Sequence, residues 1–292
     1  MADNSLVERM LYRLVKKHIA GTTMSSMISK VAELNKKGIP VSVTFLSGNI
    51  DTKAKAKYIT STYLELIRRL SRLGFKASVH IRAEQLGILL DTETTLNNFT
   101  EILNTGRKCG VFVWLQIPKE KLSFKQELNG AKGYGVAIEE KDSQALLNDS
   151  SNITPTKIMF NEHHQYEEKE VTKGKKKSSK ESKTKSKTKD KKTKKSKSYL
   201  DTFNKKGTFV LSSPPEHLIK ELVSPKNKNK SKIILEFKLG YSNKKLRKYI
   251  KKNKNITMNV PFGKDWAEFA MNSVPEGYMR FLANNLLTEK KN

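Results

Sequence analysis

Three cations flank apolar runs that read as strands: Arg82 after Val79-His80-Ile81, Lys157 before Ile158, and Lys238 after Leu235-Glu236-Phe237. If those strands converge on one pocket, inward Arg82, Lys157 and Lys238 suit a small anion; a carboxylate needs a cation, and the planar arginine fork grips it in two bonds. Glu162-His163-His164-Gln165-Tyr166-Glu167-Glu168 places His164 and Glu168 four apart, the spacing at which two ligands share a metal on a helix. No third ligand has a recognisable spacing, so a solvated acidic loop is the expectation and no metal site is assigned. His80 alternates with Val79 and Ile81 and is expected to point outward. Asp265, before Trp266, reads as a helix N-terminal carboxylate facing free backbone N–H groups. The lone Cys109 excludes an internal disulfide and reads as a small core residue.

The elements that must hold these residues recur as couplets. Thr22 or Thr23 can cap a helix striped by Met27, Ile28, Val31 and Leu34, and Gly38 ends it. Val41, Val43 and Phe45 form a strand, and Thr52 to Leu73 a long helix. Strands then follow at Ala77–Ile81, Val111–Ile117, Gly135–Ile138, Ile158–Phe160, Phe209–Leu211, Ile233–Phe237 and Ile256–Val260. Helices are expected at Leu96–Leu103, Lys121–Leu128, Gln144–Leu147, Glu216–Val223, Lys244–Ile250 and Trp266–Leu287. Eight strands alternating with helices predict an α/β chain folded as a (β/α)8 TIM-type barrel with an N-terminal helix. A doubly wound open sheet is the alternative, but no Gly-x-Gly-x-x-Gly follows a strand.

The formal charge is +28, and Thr172 to Ser198 holds fourteen lysines against Glu181 and Asp190, which is +12 of it. Without an apolar stripe that segment cannot offset its ordering entropy and is expected to be disordered. The organisation follows: an N-terminal helical segment 1–37, barrel strands one to five in 38–171, a Lys-rich insertion 172–198, and the last part of the barrel in 199–292. The arm from Lys173 to Lys197 lacks arginine and aromatics, so any polyanion partner, or anionic surface, would be held through phosphates alone and released by salt. No run of about 18 apolar residues occurs, no signal-peptide core is present, and a cytoplasmic location without a transmembrane segment is the expectation.

Asn259-Val260-Pro261-Phe262-Gly263-Lys264-Asp265-Trp266 resembles the closing strand and helix of the proline dehydrogenase family, which reads Val-Pro-Tyr-Gly-x-Asp-Trp. Ile81-Arg82-Ala83-Glu84-Gln85-Leu86-Gly87 is similar to its Val-Lys-x-x-Gln-Leu-Gly, with Arg82 in place of the lysine. The resemblance implies a (β/α)8 barrel, FAD as cofactor, a small amino-acid substrate, and oxidation of L-proline to 1-pyrroline-5-carboxylate. Carried over by position, the substrate residues fall on Arg82, Phe269, Asn272 and Ser273, and the flavin residues on Glu139, Lys157, Ser213, Lys238 and Glu276. The family's tyrosine is Phe269 here, its arginine pair is Asn272-Ser273, and its acidic third-strand end is Leu115-Gln116-Ile117-Pro118. Most substrate and flavin groups are thus replaced. A barrel without redox chemistry, serving as a binding or scaffold protein with a basic arm, stays open beside the family activity.

Overall fold

The computed structural model describes residues 12–13, 15–128, 131–143, 155–160, 207–222, 232–240 and 255–266. Eight strands, β1 (Val41–Phe45), β2 (Ala77–Arg82), β3 (Phe112–Gln116), β4 (Tyr134–Glu139), β5 (Thr156–Met159), β6 (Thr208–Ser212), β7 (Lys232–Lys238) and β8 (Ile256–Phe262), pair in chain order. All neighbours are parallel, and β1 closes on β8. Outside the strands lie α1 (Met24–Lys36), α2 (Lys53–Arg72), α3 (Thr92–Cys109), the single turn α4 (Phe124–Glu127) and α5 (Glu216–Leu222). The expected (β/α)8 barrel is the observed fold. Gln144–Leu147, Lys244–Ile250, the helix after Trp266 and the insertion 172–198 lie outside the described residues.

The hydrophobic core sits between the sheet and the helices, not within the barrel. Val43, Ile81, Leu115, Ile158, Leu211 and Val260 alternate with inward residues and face outward. There they join Val31 of α1, Tyr63 and Ile67 of α2 and Phe99 and Ile102 of α3 in one buried cluster. Period-two strands thus meet the 3.6-residue stripes of the helices. Thr23 caps α1 through a reciprocal pair with Ser26, and Thr52 Oγ1 accepts from the Lys55 N–H at the start of α2. The helix expected at Leu96–Leu103 is longer, Thr92–Cys109, because Asp91 caps it with bonds from the Glu93 and Thr94 N–H groups. The helix expected at Lys121–Leu128 is only the turn α4, after a 3-10 turn at Lys119–Lys121.

The closing motif has a structural task. The Ala20 N–H donates to Pro261 O at 2.7 Å, the Leu46 N–H to Phe262 O at 2.7 Å, and the Gly263 N–H to Gly21 O at 3.2 Å. At Gly263 φ is +143°, and a Cβ there would lie 2.3 Å from Leu46 O, so no other residue fits that approach. The Trp266 ring meets Tyr12 edge-on at 5.2 Å. Strand β8, the loop after β1 and the N-terminal segment are locked together by these groups.

Candidate site at the strand-end mouth of the barrel

The inward positions at mid-barrel carry Ser42, His80, Trp114, Lys157 and Glu236 instead of the branched apolar layers usual in such barrels. Lys157 Nζ donates to Glu236 Oε2 at 2.8 Å, with the two side chains 0% and 1% exposed. It also reaches Ser42 Oγ at 3.1 Å and His80 Nδ1 at 3.3 Å, so its three N–H bonds are all taken. The ammonium lies 5.0 Å from the Trp114 ring centroid. Gly135, paired with Trp114 across β3 and β4, makes room for the indole, since a Cβ there would stand 2.3 Å from the ring.

Because His80 Nδ1 accepts from Lys157, the ring proton sits on Nε2, which donates to Gln116 Oε1 at 3.2 Å. Burial and then the Lys157 charge pull the His80 pKa down to about 3, so the imidazole is neutral. Burial alone would raise the Glu236 carboxyl, yet Lys157 beside it leaves it below its ordinary value. Burial pulls the Lys157 ammonium down, and Glu236 opposes that pull. Glu236 Oε1 has no partner among the described residues.

Above this layer a cavity of about 220 Å³ opens at the C-terminal ends of the strands. Arg82, Lys238 and Asp265 supply its charges, His80, Gln116, Ser212 and Asn259 its neutral polar groups, and Met159, Phe160 and Pro261 an apolar wall. Arg82 leans on the loop after β1, with one guanidinium nitrogen 3.4 Å from Ser47 O. Gln85 fixes that arrangement from behind: its Nε2 donates to Phe45 O and to Ser47 Oγ, each at 2.8 Å, and its Oε1 accepts from the Arg82 N–H at 3.1 Å. The buried Tyr63 hydroxyl joins Gln85 Oε1 at 3.0 Å and accepts from the Phe45 N–H at 3.3 Å. Burial raises the Tyr63 pKa, so the hydroxyl keeps its proton. The Gln-Leu-Gly stretch therefore positions Arg82 and lies outside the cavity itself.

The sequence-assigned residues separate into distinct places. Arg82 and Lys238 reach one cavity, whereas Lys157 lies beneath it in the ion pair with Glu236. Glu139 is exposed at the end of β4, 2.9 Å from Lys141. Ser213 is buried just after β6 at a φ of +54°, its N–H donating to Glu236 O. Phe269, Asn272, Ser273 and Glu276, like His164 and Glu168, lie outside the described residues. His80 faces inward, against the outward expectation, and Asp265 lines the cavity. Cys109 is half-buried against the core.

No protein-family model matches the chain. Proline dehydrogenase 2 of Bacillus subtilis strain 168 is 25% identical over 104 residues, which is 36% of this chain and 34% of that protein. Among solved structures, proline utilization A from Bdellovibrio bacteriovorus inactivated by N-propargylglycine superposes with a TM-score of 0.66 at 13% identity. That match covers 91% of this chain and 33% of the other. Proline utilization A from Corynebacterium freiburgense gives 0.56 at 11%, over 99% of this chain and 34% of its own. The resemblance is to the proline dehydrogenase family, in sequence and in fold. The chain spans about a third of the length of each of these relatives. Among the described residues, no helix is long and apolar enough to cross a membrane.

Proposed function

We propose that this proline-dehydrogenase-like barrel binds a small zwitterionic amino acid of the proline class at its strand-end mouth. The observation that carries the reading is the cavity itself, where Arg82 and Lys238 bring positive charge and Asp265 negative charge to one small space. The cations suit the ligand carboxylate, the Asp265 carboxylate suits its ammonium, and Met159, Phe160 and Pro261 suit a compact apolar ring. Neutral His80 and Gln116 add uncharged polar groups at the floor, where an imidazolium would compete for the carboxylate.

A flavin fits the described residues poorly. Its ring needs donors along the edge and its pyrophosphate needs cations. Lys157, carried over to a flavin position, has spent its donors beneath the cavity, and Glu139 brings a carboxylate where a donor is wanted. The cavity of about 220 Å³ is also smaller than the roughly 300 Å³ at which pockets for larger ligands begin. FAD-dependent oxidation of L-proline to 1-pyrroline-5-carboxylate is the second reading, favoured by the likeness to proline dehydrogenase 2.

Calorimetric titration tests the binding. L-proline is expected to bind the unmodified chain, pyrrolidine, which lacks the carboxylate, to bind at least tenfold more weakly, and Arg82→Ala to lose about 10- to 100-fold for L-proline, as befits a charged hydrogen bond. Absence of any L-proline binding at millimolar concentration, or equal affinity in Arg82→Ala, would overturn the reading.

A further inference from the structure

The hydrogen-bond donors of the cavity stand in two separate pairs, each a cation beside a primary amide. Arg82 and Gln116 are register partners on β2 and β3, and Lys238 and Asn259 are register partners on β7 and β8. Because β1 closes on β8, three strand spacings of roughly 4.8 Å separate the strand of Arg82 from that of Lys238, and three separate the strand of Gln116 from that of Asn259. The two pairs therefore belong to different walls.

Each amide has its direction set from behind. Gln116 Oε1 accepts from the His80 Nε2–H at 3.2 Å, and Asn259 Oδ1 accepts from the Thr44 hydroxyl at 3.3 Å. Neither amide nitrogen has a hydrogen-bond partner among the described residues, so both keep N–H donors for a ligand that enters. Charge points the same way. Among the described residues that line the cavity, Arg82 and Lys238 against Asp265 leave a net charge of +1, while Lys157 and Glu236 cancel in the layer beneath. A zwitterion with one carboxylate is neutral, so it leaves that charge in place and meets the donors of one wall only. A second carboxylate meets both. Asp265 is held beside the wall of Arg82: a Cβ at Gly48 would stand 3.6 Å from its carboxyl carbon, next to Ser47, on whose carbonyl Arg82 leans.

We propose that the ligand is an amino dicarboxylate, its α-carboxylate held by Arg82 and Gln116, its ammonium by Asp265 and its distal carboxylate by Lys238 and Asn259. The assignment rests on the reading of the cavity as an amino-acid site and adds a second anionic subsite to it. Gln116 and Asn259 specify that ligand because an amide N–H bonds a carboxylate oxygen without adding charge, so each wall carries one cation for one carboxylate.

Calorimetric titration of the full chain with L-glutamate, L-glutamine, glutarate and L-proline tests it. L-Glutamine has the shape of L-glutamate with an uncharged end, and glutarate keeps both carboxylates without the ammonium. The expected result is that L-glutamate binds about tenfold or more tightly than each of the other three, as befits one extra charged hydrogen-bonded contact. Lys238→Met and, separately, Asn259→Asp should bring the ratio of L-glutamate to L-glutamine affinity down to about one or below, with thermal melts showing that each variant is folded. A parent chain that binds L-glutamine or glutarate as tightly as L-glutamate, or a ratio unchanged in either variant, would overturn the second subsite. Binding of L-proline without L-glutamate would overturn it and leave the amino-acid reading standing, whereas binding of none of the four would overturn both.

Discussion

Lys157 holds a charge where water does not reach, and it does so because three acceptors of different kinds surround its ammonium. Taking a single partner from such a pair strands the other, and the cost is the desolvation of an uncompensated charge. Glu236→Gln or Lys157→Ala should therefore each lower stability by about 3–5 kcal/mol in urea denaturation, while Lys157→Met combined with Glu236→Leu should cost less than either single change. Additive single effects would contradict the coupling. The same network sets the chemistry of His80, whose Nε2–H is turned toward Gln116 because Lys157 occupies Nδ1. In sequence His80 looked like an outward residue, since Val79 and Ile81 beside it had the look of core. The parity was right and the direction was not. In this barrel the apolar side of β2 faces the helices, and the polar side faces in. Nothing in one strand distinguishes those two choices.

The strands and long helices were legible because each carries a stripe that only one geometry can bury. Val41, Val43 and Phe45 alternate as expected; of the expected inward stripe Tyr58, Tyr63, Ile67 and Leu70, the last three are buried, whereas Tyr58, near the start of α2, is 67% exposed. Helix ends were less legible, as the Asp91 cap at the start of α3 shows, because a cap depends on one side chain and leaves no periodic trace. Gly135 is another such residue: in sequence it marks only the start of a strand, whereas in the barrel it admits the Trp114 indole. Gly135→Ala places a methyl into that ring and near Pro155 O, and overpacking of this kind costs about 1–3 kcal/mol. The expected outcome is a lowered denaturation midpoint with Trp114 emission shifted. Unchanged stability and emission would mean that the indole moves aside freely.

Taken whole, the molecule has the barrel frame of the solved structures it resembles. Pro261, Gly263 and Trp266 close the barrel, and Gln85 holds the loop behind Arg82. A frame made by backbone contacts survives substitution of the inward side chains, which explains why the fold could be read from short motifs, whereas of the three expected inward cations Arg82 and Lys238 reach the cavity and Lys157 lies beneath it. Asp265 illustrates the limit, because its place in the cavity comes from barrel closure, an interaction between the chain's two ends. The central claim is that this barrel holds an amino acid without a flavin. Its most direct measurement is the visible absorption spectrum of the purified chain after incubation with FAD and gel filtration. The expected spectrum shows no bound flavin, with L-proline binding in calorimetry retained. A flavin spectrum that survives filtration and bleaches on addition of L-proline would contradict the claim and return the chain to the family reaction.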